Sequence, residues 1–187
     1  MGFTSADAQV RTIPVYIVAT ALCLVAAWLA DRLQHRYAFS MFGLVVAVIG
    51  YILLLCQDSV SVGVRYFALF LVVSGGYITQ PIVMCWLSNT MSGHYKRSVS
   101  SAFQIGFGNV GGFIASNVFF TNEAPHYITG YSVSLSMLVL SGVFCSVFYV
   151  GLARENRRRD KGERDHRLSG PDARNLGDDH PDWRYAL

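Results

Sequence analysis

From Ile13 to Arg36 the chain reads IPVYIVATALCLVAAWLA and then DRLQHR. Eighteen residues carry no Asp, Glu, Lys, Arg or His, and the six that follow carry three charges and a histidine. About 20 predominantly apolar residues cross a bilayer core as a helix. A charge at the centre of such a helix costs roughly 2.5–3.5 kcal/mol on insertion scales, so this alternation of empty run and charged turn reads as one membrane span and its loop.

The pattern repeats outward. Four more uncharged apolar stretches lie at Tyr37–Leu55, Tyr66–Leu87, Val99–Phe120 and Tyr131–Leu152. Helices meet their own backbone hydrogen-bonding needs in hydrocarbon, and the runs are too long and too uniform for the alternating strands of a β-barrel. Of the 27 charged residues in 187, seventeen lie after Leu152. Ten charges in the first 152 residues are too few for a water-soluble domain, where about a quarter of residues are charged. A soluble enzyme, a nucleic-acid binder and a secreted disulfide scaffold are excluded on that ground. The organisation expected is a segment 1–12, a membrane domain 13–152 of five spans, and a charged, disordered tail 153–187.

The first run is longer than the apolar core of a signal peptide, and Trp28 is too bulky for a cleavage site. Basic residues orient the spans. The Asp31–Arg36 loop, the Ser88–Ser98 loop and the tail share thirteen Lys and Arg, against Arg11 and Arg65 on the other side. That places the carboxy terminus in the cytoplasm. Cys23, Cys56, Cys85 and Cys145 form no CxxC pair and act as small apolar residues. Catalytic motifs, metal-ligand spacings and cofactor signatures are lacking, so neither an enzyme nor a cofactor is expected.

Polarity inside the spans is where function is sought. The third span contains Ser74-Gly75-Gly76-Tyr77-Ile78-Thr79-Gln80-Pro81. Proline removes a backbone donor and crowds the carbonyl four residues back, so Gly75, Gly76 and Pro81 predict a kinked or broken helix. It either opens a cavity lined by Tyr77 and Gln80 or is a packing kink. In the fourth span Gly108, Gly112 and Ser116 recur every four residues, a spacing that lets helices approach closely. Gln104 and Asn109 are intramembrane amides that need partners, about 140° apart around the helix at 100° per residue; either can face a substrate path. The run Arg154-Glu155-Asn156-Arg157-Arg158-Arg159 serves as a topology signal or as a contact to anionic lipid.

Asp31, Arg32 and Arg36, between two spans, resemble the conserved cytoplasmic motif of the major facilitator superfamily, although Ala27 and Gln34 stand where that motif has glycine. Gly76-Tyr77, Pro81, Trp86, Asn89, Gly93 to Arg97, Gly108 to Gly112, Phe119-Phe120 and Ala124 to Tyr127 resemble the fungal anion:cation symporters of the allantoate permease type. So does the ending Asp178-Asp179-His180-Pro181-Asp182-Trp183-Arg184-Tyr185. The resemblance implies an all-α membrane protein whose five helices are spans 8–12 of a twelve-helix fold. It also implies proton-coupled transport of a small organic anion such as nicotinate, biotin, pantothenate or allantoate, in the plasma or vacuolar membrane. The amino-terminal half and the seventh span would lie outside this sequence, and the partners would be the bilayer, the anion and protons. The alternative is a small non-transporting membrane protein that associates through its glycine-rich helix.

Overall fold

A computed structural model describes residues 5–119, 126–169 and 176–187. It contains five long helices: α1 Ser5–Leu33, α2 Arg36–Leu55, α3 Val62–Thr90, α4 His94–Val118 and α5 Ile128–Asp160. Each of the five expected spans lies on one of them, but the helices are longer. Helix α1 starts eight residues before Ile13, runs through Pro14 and takes in most of the segment read as preceding the membrane. Helix α5 extends eight residues past Leu152. The end expected for the fourth span, Phe120, lies outside the described residues, as do Ala124, Pro125 and Glu123.

Helices α1, α2, α3 and α5 are long and apolar enough to cross a membrane. Helix α4 has the length, 25 residues, but its run of serines, four glycines and three side-chain amides dilutes its apolar character. Large apolar side chains point outward on every helix, as on Leu24, Phe42, Phe67, Phe107 and Phe144. This is the surface expected of a bundle whose solvent is lipid.

Helix α3 is the centre of the bundle. Helices α1 and α2 pack on it, and α5 packs on α2. Small residues make the α2–α3 contact possible. A β-carbon built on Gly75 would fall 2.5 Å from the Gly43 carbonyl oxygen and 2.8 Å from the Ala47 β-carbon. One on Gly50 would fall 2.9 Å from the Val72 backbone nitrogen. Thr79, next along the seam, donates from its hydroxyl to the Gly75 carbonyl at 2.9 Å, with the Ser40 carbonyl at 3.2 Å. A small apolar core of Ala30, Ile78 and Ile82 joins α1 to α3, with Ala26 and Phe39 against it.

Aromatic contacts hold the tail end of the bundle. Trp86 on α3 is 1 % exposed, edge-on to Phe148 of α5 at 5.1 Å. Tyr37 of α2 stacks on Tyr149 of α5 at 4.3 Å, and its hydroxyl lies 3.0 Å from that of Ser146.

The turn between α1 and α2 is tight. Gln34 sits there at φ 56° and donates from its side chain to the Asp31 carbonyl at 2.7 Å. Left-handed backbone is strained for a residue with a β-carbon, by about 1–2 kcal/mol. That is the physical reason glycine suits this position. Gln34→Gly is expected to be neutral to within about 1 kcal/mol, because relief of strain is offset by the lost hydrogen bond and the added freedom of the unfolded chain. Chemical unfolding of the variant in detergent reads the difference directly.

Candidate functional site

The residues singled out in the sequence fall into two regions. The first is the polar set on α3 and α4. Tyr77 is 42 % exposed and lies tilted against Tyr16 of α1, ring centroids 5.9 Å apart. Gln80 and Asn109 are exposed and Gln104 is half-buried. The Gln104 side-chain oxygen is itself buried and without a hydrogen-bond partner. The groove on α4, about 470 Å³, is lined by Ala102, Phe103, Gly106, Phe107 and Val110. Another, about 570 Å³, follows the α1 face around Tyr16. None of the four lines either.

Pro81 lies inside α3, which is helical from Val62 to Thr90 without interruption. Of the two forms expected, the break does not occur; a kink needs no interruption of the helix. The two glycines also part company. Gly75 is buried in that seam, whereas a β-carbon on Gly76 meets nothing within 4 Å. On α4, Gly108 and Gly112 likewise face open space, and Ser116 is exposed, its hydroxyl donating to the Phe113 carbonyl at 2.8 Å. Close helix approach within this chain therefore runs through Gly43, Gly50 and Gly75, and α4 buries no residue at all.

The second region surrounds the Asp31–Arg36 loop. Arg36 is 8 % exposed, and its guanidinium pairs with Asp31 at 3.1 Å. The Asn89 amide of α3, turned with its oxygen inward, accepts from the same guanidinium. Arg32 points elsewhere, its guanidinium 5.3 Å above the Trp28 ring. Asp31, Arg36, Pro81 and Cys85 share a small recess of about 50 Å³. The sequence kept the Asp-Arg loop and the Pro81 helix apart; the structure brings them together.

Chain ending 176–187, expected to be disordered, packs onto this region. The Arg36 backbone N–H donates to the Leu187 carbonyl at 3.1 Å. The Trp86 indole donates to the Ala186 carbonyl at 2.8 Å. Asn156 of α5 makes two bonds to Tyr185, amide to carbonyl at 2.9 Å and side-chain oxygen from the backbone N–H at 3.0 Å. Arg159, 4 % exposed, donates to the carbonyls of His180 and Trp183 at 3.3 and 3.0 Å and to the Tyr185 hydroxyl at 2.9 Å. Its guanidinium lies 4.5 Å from the Tyr185 ring. Lys96 at the start of α4 reaches Asp178 at 2.7 Å, and that hydrogen bond holds its ammonium above the ordinary lysine value. The tail is ordered here because a buried arginine, which meets Glu155 of its own helix at 3.4 Å, has most of its remaining donors satisfied by that segment. Sequence reasoning read Arg159 as one of a basic run. Only its position next to Asn156 on the helix, and the polar ending far downstream, could have signalled otherwise. Of the run, Arg154, Arg157 and Arg158 are exposed.

The chain is 33% identical along its whole length to an uncharacterized transporter of Schizosaccharomyces pombe, of which it spans 36%. It is 32% identical along its whole length to the MFS-type transporter cnsO of Penicillium expansum, spanning 38% of that protein. Its relatives are MFS-type transporters. They include the high-affinity nicotinic acid transporter of Saccharomyces cerevisiae, 30% identical over 99% of this chain and 35% of that transporter. The chain thus spans little more than a third of the length of these MFS-type relatives. No family profile matches it, and no solved structure does. The helical fold and apolar helices described above are those of a membrane protein, and the similarity is to MFS-type transporters, of which this chain spans a part.

Proposed function

We propose that this chain is the part of an MFS transporter that carries spans 8 to 12, and that the complete protein moves a small organic anion of the nicotinate type together with protons. The observation that carries this reading is similarity over the whole chain to MFS-type transporters, one of them named for nicotinic acid. The α1–α2 turn, with its Asp31–Arg36 pair, supports it. On this reading α1 to α5 are the five spans, and the tail faces the cytoplasm because the basic residues collect on its side. Transport of this kind rocks one half of the protein against the other around a midplane site, so the remaining helices come from outside this sequence.

No Lys, Arg or His lies between Tyr66 and Leu87 or between Val99 and Phe120. The anion is then met on these helices by neutral groups, with Gln104 as the principal one and Tyr77, Gln80 and Asn109 as further path residues. Gln104 is singled out because it alone of the four is partly enclosed: its amide N–H group can donate to the anion, while its buried oxygen, without a partner in this chain, can only accept, as from a proton-carrying group. The test grafts this chain in place of the matching third of the yeast nicotinic acid transporter and measures uptake of labelled organic anions. Gln104→Leu is expected to raise KM about tenfold, the loss of one hydrogen bond to a charged group. Unchanged KM and maximal rate in both Gln104→Leu and Asn109→Leu would remove these residues from the path.

A second reading is favoured by one observation: Gly108 and Gly112 have nothing against them. The chain would then be a non-transporting membrane protein that docks on a partner helix through α4. Co-purification of a stoichiometric partner, lost in Gly112→Leu, is its expected signature.

A further inference from the structure

We propose that residues 176–187 form a releasable latch, which docks in a groove at the Asp31–Arg36 end of the bundle and ties four helices together while it is seated. The groove is built from α2, α3 and α5. Its floor is Trp86 and Asn156, and Arg159 is its anchor. The latch reaches α2 through Leu187 on the Arg36 backbone N–H and α3 through Ala186 on the Trp86 indole. It reaches α5 through Tyr185 and Trp183 on Asn156 and Arg159. Asp178 holds Lys96 at the start of α4, a helix with no fully buried residue.

Two observations mark the docking as reversible rather than as part of the permanent core. The latch is held chiefly by hydrogen bonds and ion pairs, which water can replace on release. Pro181 is buried and Trp183, Tyr185 and Leu187 are half-buried, yet the Trp183 indole N–H is buried without a hydrogen-bond partner, and undocking gives that group water. The seat itself is specific. Arg159 places its guanidinium between two carbonyls, a hydroxyl and an aromatic ring of the same segment. The sequence-specific part is Tyr185: a peptide lacking a tyrosine there would lose its hydroxyl and ring on Arg159, while the carbonyl contacts are open to any backbone.

Helix ends joined by a seated latch cannot separate, so the latch selects the state in which this end of the bundle is closed. The test uses the full 187-residue chain in lipid nanodiscs, with hydrogen–deuterium exchange followed by mass spectrometry. Backbone amides of 183–187 are expected to exchange at least about tenfold slower than free peptide. Tyr185→Ala, a change within the latch, should release them while the amides of α2 and α3 stay protected. A synthetic peptide of residues 176–187 in excess should compete for the groove and speed exchange of the chain's own ending, whereas a scrambled peptide should not. Free-peptide exchange in the unmodified chain would overturn the docking. Protection that neither the peptide nor Tyr185→Ala relieves would overturn the latch and make the segment a fixed part of the fold.

Discussion

Trp86→Ala is expected to destabilise the chain by about 3–5 kcal/mol, the range for removal of a buried large aromatic side chain. Trp86 is the largest side chain that the described fold buries completely, at 1 % exposed. Its ring meets Phe148 edge-on at 5.1 Å and Tyr37 at 6.2 Å, so it is the point where α2, α3 and α5 converge. Truncation to a methyl group leaves a cavity that three helices would have to close, and it strands the Ala186 carbonyl. Trp86→Phe separates the two contributions. It keeps most of the apolar volume and loses the hydrogen bond, so a cost of about 1–2 kcal/mol is expected. Unfolding of both variants in mixed micelles, followed by helical circular dichroism, gives the numbers. Equal costs for the two would mean that the hydrogen bond, and not packing, makes Trp86 matter.

The second large effect comes from two adjacent glycines that should behave in opposite ways. Gly75→Val is expected to cost about 3 kcal/mol, at the upper end of the range for overpacking. Even its β-carbon falls 2.5 Å from a backbone oxygen of α2 and 2.7 Å from the Ala47 backbone nitrogen. Backbone cannot swing aside as a side chain can, so α2 must move away from α3. Gly76→Ala, one residue on, meets nothing and should be neutral or stabilising by up to about 1 kcal/mol, since alanine favours helix over glycine. Thermal shift of the two variants side by side is sufficient. A harmless Gly75→Val would show that the α2–α3 seam is looser than described.

That pair shows where reading the sequence succeeds and where it stops. The five helices were legible, because long uncharged runs between charged turns have few other physical solutions. The Asp31–Arg36 turn was legible for the same reason. Gly75 and Gly76 look alike in sequence, and only the rotation of α3 against α2 decides which faces a neighbour. Gly43 and Gly50, which share the seam with Gly75, have no feature that sets them apart from other glycines in apolar runs. The glycines at 108 and 112 have the spacing of a packing face, yet nothing within this chain lies against them. Spacing reports that a face can be approached, and a partner must be present for it to be used. Of the candidate path, Tyr77, Gln80 and Asn109 are exposed and only Gln104 is partly enclosed. The sequence could say that these groups are polar inside apolar runs, but not which of them turns inward. The ending 176–187 was read as disordered from its charge and prolines. Its order comes from contacts with Trp86, Asn156 and Arg159, between 20 and 100 residues away in the chain, and no local pattern encodes those.

Leu187 meets the first backbone N–H of α2 at 3.1 Å, and this bears on how the protein should be handled at the bench. A fluorescent or affinity tag joined directly after Leu187 would emerge against the start of α2, beside the Asp31–Arg36 pair. The fusion would pull the last residues out of their seat, and assays on it would report an untied bundle. Reporters placed away from residues 176–187 and from the α5 end that carries Asn156 and Arg159 leave that junction intact.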